Sequence, residues 1–161
     1  MRKKLVLFLV PIAVLILDQI TKALVRNSIP PNVARRVLGD FFSISNVRNK
    51  GGAFGTQLGG SYFYIAVSIA AIALIFLYHI KNKRGSSFVD MSLMLILGGA
   101  LGNLCDRIIL GYVTDFLDFG IGELRWPSFN IADSAITVGV ILLLLSNIIG
   151  KDEKDTAESC T

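Results

Sequence analysis

Long apolar runs without charge restrict the fold of this sequence more than any other feature. Apolar residues make up 53% of the 161 residues and charged residues only 17%, whereas soluble domains are about 25% charged. One run, 62–80, contains no acidic residue, lysine or arginine. About 20 residues cross the hydrocarbon core of a bilayer, and backbone groups in lipid must be hydrogen-bonded within their own segment. Runs of this length and composition therefore predict transmembrane helices.

Four long apolar segments fit this length, and in the three that carry charges the charged residues lie towards the segment ends. They are 4–25, 62–80, 88–110 and 131–149. The expected fold class is an all-α membrane protein with four transmembrane helices, which form one domain over 1–150. A polar tail at 151–161 is expected to be cytoplasmic and disordered. Basic residues precede the first segment and follow the second and fourth, so the positive-inside rule predicts that both termini are cytoplasmic. The segments 26–61 and 111–130 then lie on the extracytoplasmic side.

The extracytoplasmic segments contain a local signal for strands. Residues 36–48 are rich in β-branched and aromatic types and are bounded by glycines, a pattern that predicts short strands. The stretch 124–126 would add another strand, and the rest of 111–130 is expected to be a connecting loop. These strands predict a small β-cradle on the membrane surface, with residues 35–54 as a lid segment over the site.

Ionisable side chains collect at the extracytoplasmic ends of the predicted helices. Such residues are costly within a span and by default indicate function. Asp18 and Lys22 are four residues apart, acid first, which predicts an ion pair; it either anchors the helix end or positions groups in a site. Asn103, Asp106 and Arg107 are expected to share one face of the third helix. Asp106 is expected to be structural, paired with Arg107 or another cation, and Arg107 to stabilise the site or hold a substrate carbonyl.

Two further acids, Asp115 and Asp133, follow the third helix and open the fourth. Taken alone, Asp133 would complement the helix dipole, with Asn130 as N-cap. Taken together, two carboxyl groups that meet share a proton, so that one activates water and the other protonates a leaving group. The pair predicts an aspartic-protease mechanism that needs no metal. Asn49 precedes a glycine-rich stretch at Gly51, which is either a plain turn or a loop whose backbone approaches a ligand.

Five motifs occur in order along the chain. They are Asp18-Gln19-Ile20-Thr21-Lys22, Arg48-Asn49-Lys50-Gly51-Gly52-Ala53-Phe54-Gly55, Gly98-Gly99-Ala100-Leu101-Gly102-Asn103-Leu104-Cys105-Asp106-Arg107, Val113-Thr114-Asp115-Phe116 and Phe129-Asn130-Ile131-Ala132-Asp133-Ser134. With these motifs the sequence resembles the lipoprotein signal peptidases (signal peptidase II) over all but its polar tail. The resemblance implies an aspartic endopeptidase of the bacterial cytoplasmic (inner) membrane. Such an enzyme removes the signal peptide of a prolipoprotein just before a cysteine that carries a diacylglyceryl group.

The resemblance also implies roles for particular residues. It assigns the catalytic pair to Asp115 and Asp133, and it leaves Asp106 outside that pair. The residues that it implies for lining or supporting the site are Asp18, Lys22, Asn49, Gly51, Asn103, Arg107 and Asn130. The implied partners are prolipoproteins, membrane lipid and a lipopeptide inhibitor such as globomycin. We expect a monomer that uses neither a metal nor another cofactor, and no nucleic-acid binding, because no long basic block is present.

Two other classes of function stay open from the residues alone. Ionisable residues within spans also mark ion pathways, although here they gather at one face, and His79 alone lies towards the other. The polar cluster would equally suit a small subunit that binds partners in a membrane complex. Cleavage of a diacylglyceryl-modified prolipoprotein separates these alternatives.

Overall fold

The computed structural model describes residues 2–52, 60–81 and 87–158, in which four helices and four strands occur. In chain order they are α1 (Arg2–Ser28), β1 (Ala34–Leu38), β2 (Phe42–Asn49), α2 (Gly60–Lys81), α3 (Ser87–Leu110), β3 (Val113–Ile121), β4 (Leu124–Arg125) and α4 (Ile131–Glu158). Each helix covers one of the predicted helical segments, and all four run past the predicted bounds. The protein is therefore mostly helical, with a small sheet.

Three helices are long and apolar enough to cross a membrane. Their apolar spans are Leu7–Ser28, Gly60–Lys81 and Phe88–Leu110. The apolar part of α4 is shorter, Ile131–Ser146, and at 1.5 Å per residue it covers about 24 Å of a hydrocarbon core that is about 30 Å thick. Large apolar side chains on the helices, such as Leu74 and Phe76, are mostly exposed, as expected where lipid is the solvent.

The end of α4 differs from the sequence prediction. The helix continues through Glu158, whereas we predicted an end at 149 and disorder from 151 onwards. A glycine inside a helical pattern costs about 1 kcal/mol relative to alanine without ending the helix. Gly150 is for this reason a weak stop signal. Residues 159–161 of the predicted tail lie outside the described residues.

The four strands form one antiparallel sheet in the order β1-β2-β3-β4. Strands β1 and β2 lie over the predicted strand region, and β4 covers Leu124–Arg125. The prediction of a connecting loop in 111–130 was wrong where β3 lies, because β3 is a central strand of the sheet. Its polar residues Thr114, Asp115 and Asp118 are all buried, so the alternation of apolar and polar residues that marks a half-exposed strand is missing.

Strand β3 lies across the ends of several helices. Gly111, at a φ of 77°, ends α3 and turns the chain, a conformation that glycine adopts without strain. The Thr114 amide then donates to Asp106 of α3 (3.0 Å), and the Thr114 hydroxyl accepts from Arg26 of α1 (3.1 Å). The next amides, of Phe116 and Leu117, donate to the Phe129 carbonyl just before α4. Because one short stretch meets three helices, the strand runs across this end of the bundle, which we call the sheet end.

Glycines of α3 bring its backbone close to both neighbouring helices. A Cβ on Gly99 would overlap the carbonyl of Ala132 in α4, and a Cβ on Gly98 would lie 2.9 Å from Pro11 in α1. A Cβ on Gly102 would lie 2.6 Å from a carboxylate oxygen of Asp18. Small residues at such positions allow helices to approach closely. The acidic residue of α1 is thereby held against α3.

We expect Gly102→Ala to lower the unfolding free energy by about 1–3 kcal/mol, the usual cost of overpacking. The same substitution should reduce activity, because the new methyl group displaces the Asp18 side chain. Gly139→Ala is the matched control. Its Cβ would also clash, 2.7 Å from Ile96, but Asp18 is not among the atoms that it would meet. Denaturant titrations check the stability of both variants, and the peptidase activity that the family resemblance implies is measured in the same detergent. Equal activity losses at equal stability losses would contradict a specific effect through Asp18.

Candidate active site

Asp115 and Asp133 belong to one hydrogen-bonded group. Asp115 lies in β3 and is 2% exposed, and Asp133 lies in the first turn of α4. The Asn130 amide nitrogen donates to Oδ1 of Asp115 at 2.7 Å, and the Asn103 amide nitrogen donates to Oδ1 of Asp133 at 2.7 Å. The two amides also meet, with Asn130 donating to Asn103 at 3.3 Å. Two carboxyl groups from different elements are therefore linked through two asparagines.

The orientation of both asparagine amides is determined by groups that can only donate. Oδ1 of Asn103 accepts from Nζ of Lys22 at 2.9 Å, and Oδ1 of Asn130 accepts from the backbone amide of Asp133 at 2.9 Å. An ammonium group and a backbone N–H have no acceptor. Each amide must therefore turn its oxygen towards the donor and its nitrogen towards a carboxyl group. The contact to Asp133 also makes Asn130 the N-cap of α4, as one interpretation of the sequence expected.

The second oxygen of Asp115 is held from β2. The Asn49 amide nitrogen donates to Oδ2 of Asp115 at 2.9 Å, and the oxygen of the same amide accepts from the Gly51 backbone at 2.9 Å. Nη2 of Arg107 donates to the Gly51 carbonyl at 2.9 Å. The chain after β2 is thus fixed both to the site and to α3.

Burial and a neighbouring charge change the acidity of Asp115. Burial, and to a smaller extent the nearby Asp133 carboxylate, raise its pKa from 3.8 to about 7. The amide donors Asn49 and Asn130 and the cation of Lys22 act against this rise. A carboxyl group with such a pKa holds a proton in a large fraction of molecules at neutral pH. The pair can therefore carry one proton under the conditions in which a cell works.

A buried charge cluster lies directly behind the two asparagines. Nζ of Lys22, which is 0% exposed, lies 2.8 Å from Asp18 and 3.3 Å from Asp106. Arg26 lies 3.6 Å from Asp106. Two cations thus balance two carboxylates, as burial of charge requires. Oδ1 of Asp18 accepts the amide of Ala132 at 2.9 Å, so this ion pair joins α1 to the start of α4 and does more than anchor a helix end at an interface.

The neighbours Asp106 and Arg107 have separate partners. Asp106 pairs with Lys22 and Arg26 and holds the Thr114 amide at the start of β3. Arg107 contacts the Gly51 carbonyl, and its guanidinium lies 5.2 Å from the Tyr64 ring centre. Of the two alternatives left open for Asp106, pairing with Arg107 or with another cation, the second is observed, with two cations of α1, Lys22 and Arg26. The expected shared face therefore holds for Asn103 and Asp106, both of which reach Lys22.

Three residues of this network were not singled out from the sequence. Gln19 donates to Asp106 at 3.3 Å and to the Gly102 carbonyl at 3.1 Å, and Arg26 and Thr114 bond to each other at 3.1 Å. Gln19, Lys22 and Arg26 follow at intervals of three and four, which places them on one helix face. That spacing was the available signal for Gln19 and Arg26.

A cavity of about 330 Å³ opens beside Asp115. Its lining includes Asn49, Lys50 and Gly51, which follow β2, and Pro127 and Ser128, which precede α4. Of the expected lid segment 35–54, residues 35–38 and 42–49 are paired strands of the sheet. Residues 53 and 54 of the lid, and Gly55 of the second motif, lie outside the described residues. The cavity brings a space of peptide dimensions against one of the two acids.

Comparisons with known proteins agree on one family. The family profile for signal peptidase (SPase) II matches residues 10–149. A lipoprotein signal peptidase of Syntrophus aciditrophicus is 42% identical over 160 residues, covering 96% of this chain and 99% of that protein. One from Halothermothrix orenii is 42% identical over 138 residues, covering 86% and 92%.

Two solved structures, both described as bacterial membrane enzymes, share the fold. One has a TM-score of 0.84 at 32% identity and covers 92% of this chain and 91% of its own. The other has a TM-score of 0.78 at 33% identity, with 88% and 91% covered. With its three long apolar helices, the protein is a multi-pass bacterial membrane protein and a peptidase. The family resemblance predicted from the sequence is confirmed, and the chain belongs to the signal peptidase II family.

Proposed function

We propose that this protein is an intramembrane aspartic endopeptidase that removes the signal peptide from diacylglyceryl-modified prolipoproteins. It cuts just before the lipidated cysteine. The observation that carries this proposal is the linkage of Asp115 and Asp133, two acids from different elements whose carboxyl groups are held by oriented asparagine amides. Membership of the signal peptidase II family supports the removal of signal peptides from prolipoproteins.

In the proposed mechanism the two acids share one proton. The ionised member removes a proton from a water molecule, whose oxygen attacks the scissile carbonyl, and the protonated member donates to the carbonyl oxygen. The resulting gem-diol collapses as a proton passes to the cysteine nitrogen, which leaves as the new amino terminus. General acid–base catalysis of this kind contributes about 10²–10⁴-fold. The raised pKa of Asp115, about 7, suits it for either role near neutral pH.

The remaining site residues then hold the substrate and the acids. The cavity of about 330 Å³ would take the peptide next to the cut. Arg107 would hold a substrate carbonyl, since its buried Nε lacks a hydrogen-bond partner within the described part of the chain. Asn103, Asn130 and Asn49 fix the carboxyl groups. Asp18, Lys22 and Asp106 support them from behind.

The proposed setting is the bacterial cytoplasmic (inner) membrane. Four crossings, with α4 as the short fourth, put both termini in the cytoplasm and the site at the extracytoplasmic face. The signal peptide would reach the site from within the bilayer, with its acyl chains on apolar helix faces. A lipopeptide such as globomycin would occupy the same cavity. The protein would act as a monomer.

The direct test is cleavage by the purified protein in lipid nanodiscs. We expect a diacylglyceryl-modified prolipoprotein to lose its signal peptide, with mass spectrometry finding the lipidated cysteine as the new first residue. The same prolipoprotein without the lipid is the matched control and should stay uncut. Cleavage at another bond, or equal cleavage of both substrates, would contradict the proposal.

The pH dependence of cleavage should follow the proton on the pair. Because the pKa of Asp115 is about 7, kcat/KM should fall as the pH rises through about 7 and the shared proton is lost. Asn49→Leu removes a donor that lowers this pKa, so the alkaline limb should move to higher pH. Asp118→Asn, on the same strand, should leave the limb in place. If kcat/KM stayed constant from about pH 6 to about pH 9, this result would contradict a requirement for the shared proton.

The raised pKa of Asp115 also determines whether the protein becomes more or less stable as the pH rises. The folded protein binds this proton more tightly than the unfolded chain, whose aspartate has a pKa near 3.8. The unfolding free energy contributed by Asp115 should therefore be present at acid pH and be lost as the pH rises towards about 7.

A further inference from the structure

Thr114, the residue before Asp115, is held at both its backbone and its side chain. Its amide donates to Oδ2 of Asp106 at 3.0 Å, and its hydroxyl accepts from Nη1 of Arg26 at 3.1 Å. The same Nη1 lies 3.6 Å from Oδ1 of Asp106. These three contacts close a ring between α1, α3 and β3. Because Thr114 is 0% exposed, its hydroxyl bonds to Arg26 and not to bulk water.

The ladder between β2 and β3 is interrupted directly beside Asp115. Leu117 of β3 pairs with Ile44 of β2. Two residues earlier on β3, Asp115 pairs with Val47, which lies three residues later on β2. A strand that carries such an extra residue forms a bulge, at which the ladder is locally disrupted. The pairing of the two strands therefore leaves the rotation of β3 at Asp115 incompletely defined.

The Thr114 side chain can define this rotation, because neighbouring side chains of a strand point to opposite faces. A rotation of β3 about its own axis would move the side chains of Thr114 and Asp115 together, in opposite directions. Asp106 holds only the backbone amide of Thr114, and the bonds to the carbonyl of Phe129 start at Phe116. Among the described residues, Arg26 is the one that donates to the Thr114 side chain. Its bond therefore resists the rotation that the bulge permits.

We propose that Arg26 and Thr114 are positioning residues of the peptidase, whose mutual hydrogen bond fixes the rotation of β3 and so aims the Asp115 carboxyl group. In the aimed position this carboxyl group meets the amides of Asn49 at 2.9 Å and Asn130 at 2.7 Å. The inference rests on the proposed function, because it assigns the two residues an effect on cleavage through Asp115. The alternative is a structural role, in which Arg26 only balances the charge of Asp106.

Thr114→Val tests the contact, because valine keeps the branched shape that suits a strand and removes only the hydroxyl. With a diacylglyceryl-modified prolipoprotein in nanodiscs, kcat should fall by about 10- to 100-fold, since a misplacement of about 1 Å costs about 10²-fold. KM should stay near the parent value, because Thr114 is not among the described residues that line the cavity. The alkaline limb of kcat/KM should move to higher pH, since the weakened Asn49 and Asn130 bonds lower the pKa of Asp115. Thr114→Ser, which keeps the hydroxyl, should retain kcat within a few-fold.

A double variant tests whether the two residues act through one contact. Arg26→Met should also lower kcat, and Thr114→Val should cost little more in that background. Arg125→Met is the matched control, because it breaks an arginine bond to Asp118 further along β3 and should keep kcat within a few-fold.

The possible outcomes separate this inference from the proposed function. A folded Thr114→Val with the kcat of the parent would overturn the inference and support a structural role for Arg26. Losses of kcat that multiply in the double variant would overturn it as well, and both results leave the proposed function intact. If the parent protein cleaved no prolipoprotein, the proposed function itself would fail, and the inference with it.

Discussion

Asp115→Asn and Asp133→Asn should each lower kcat/KM for a diacylglyceryl-modified prolipoprotein by at least about 10²-fold and up to about 10⁴-fold. Asparagine keeps the size of the side chain and one carbonyl acceptor, which at position 115 can serve one of the two amides that donate to Asp115, but it can neither take a proton from water nor give one. Cleavage is measured by mass shift of the substrate with each purified variant in nanodiscs.

Asp118→Asn is the matched control for this pair. Asp118 lies on the same strand as Asp115, but its carboxylate pairs with Arg125 at 2.8 Å and faces away from the asparagine group. Its activity should stay within a few-fold of the parent. Both variants of the proposed pair should unfold at nearly the parent temperature, so that any loss of activity is chemical. Substantial turnover by either one would rule out the proposed pair.

Lys22→Met should be the most destabilising single change in the described network. It leaves the carboxylates of Asp18 and Asp106 buried without their shared cation, and it frees the Asn103 amide to rotate. Breaking a buried pair by removing one partner costs about 3–5 kcal/mol. We expect an unfolding free energy lowered by that amount and a loss of cleavage at temperatures where the variant is still folded.

A second substitution tests the reason for this loss. In Lys22→Met/Asp18→Asn the cluster is again neutral, and asparagine still offers an oxygen to the Ala132 amide. The double variant should be less destabilised than the sum of the two single variants, by about 0.5–3 kcal/mol. Arg36→Met, which breaks the exposed pair with Asp40, should change stability by about 0–1 kcal/mol. Additive effects of Lys22 and Asp18 would show that charge balance is not the cause.

The helices could be predicted because lipid imposes a simple rule: long uncharged runs must pair their own backbone groups. β3 could not be predicted in the same way. Its polar residues Thr114 and Asp118 can be buried because arginines donate hydrogen bonds to them. Arg26, distant in sequence, donates to Thr114, and Arg125, across a turn, donates to Asp118. A periodicity argument treats such residues as exposed, and the strand therefore reads as a loop.

Which side chains gather at the sheet end was predictable from the sequence, but how they pair was less so. Spacing along α1 gives the Asp18–Lys22 pair directly, because i,i+4 residues share a face. Asp106 and Arg107 are adjacent in sequence, so their side chains leave α3 about 100° apart. Which distant group each one meets depends on how the helices pack. The contacts of Asn103 and Asn130 were harder still to predict, since each amide donates to a carboxyl group that another element contributes.

The Asp18–Lys22 pair has a consequence for biosynthesis. α1 is made first and carries its own counter-ion, so it can enter the bilayer with its two opposite charges already neutralised. Asp18 can meet the Ala132 amide only after α4, which follows the other described helices in the chain, has been inserted. Until then the start of α4 is not docked, and Asp133 has no fixed position. On the proposed mechanism, a nascent chain would thus remain inactive until α4 is in place.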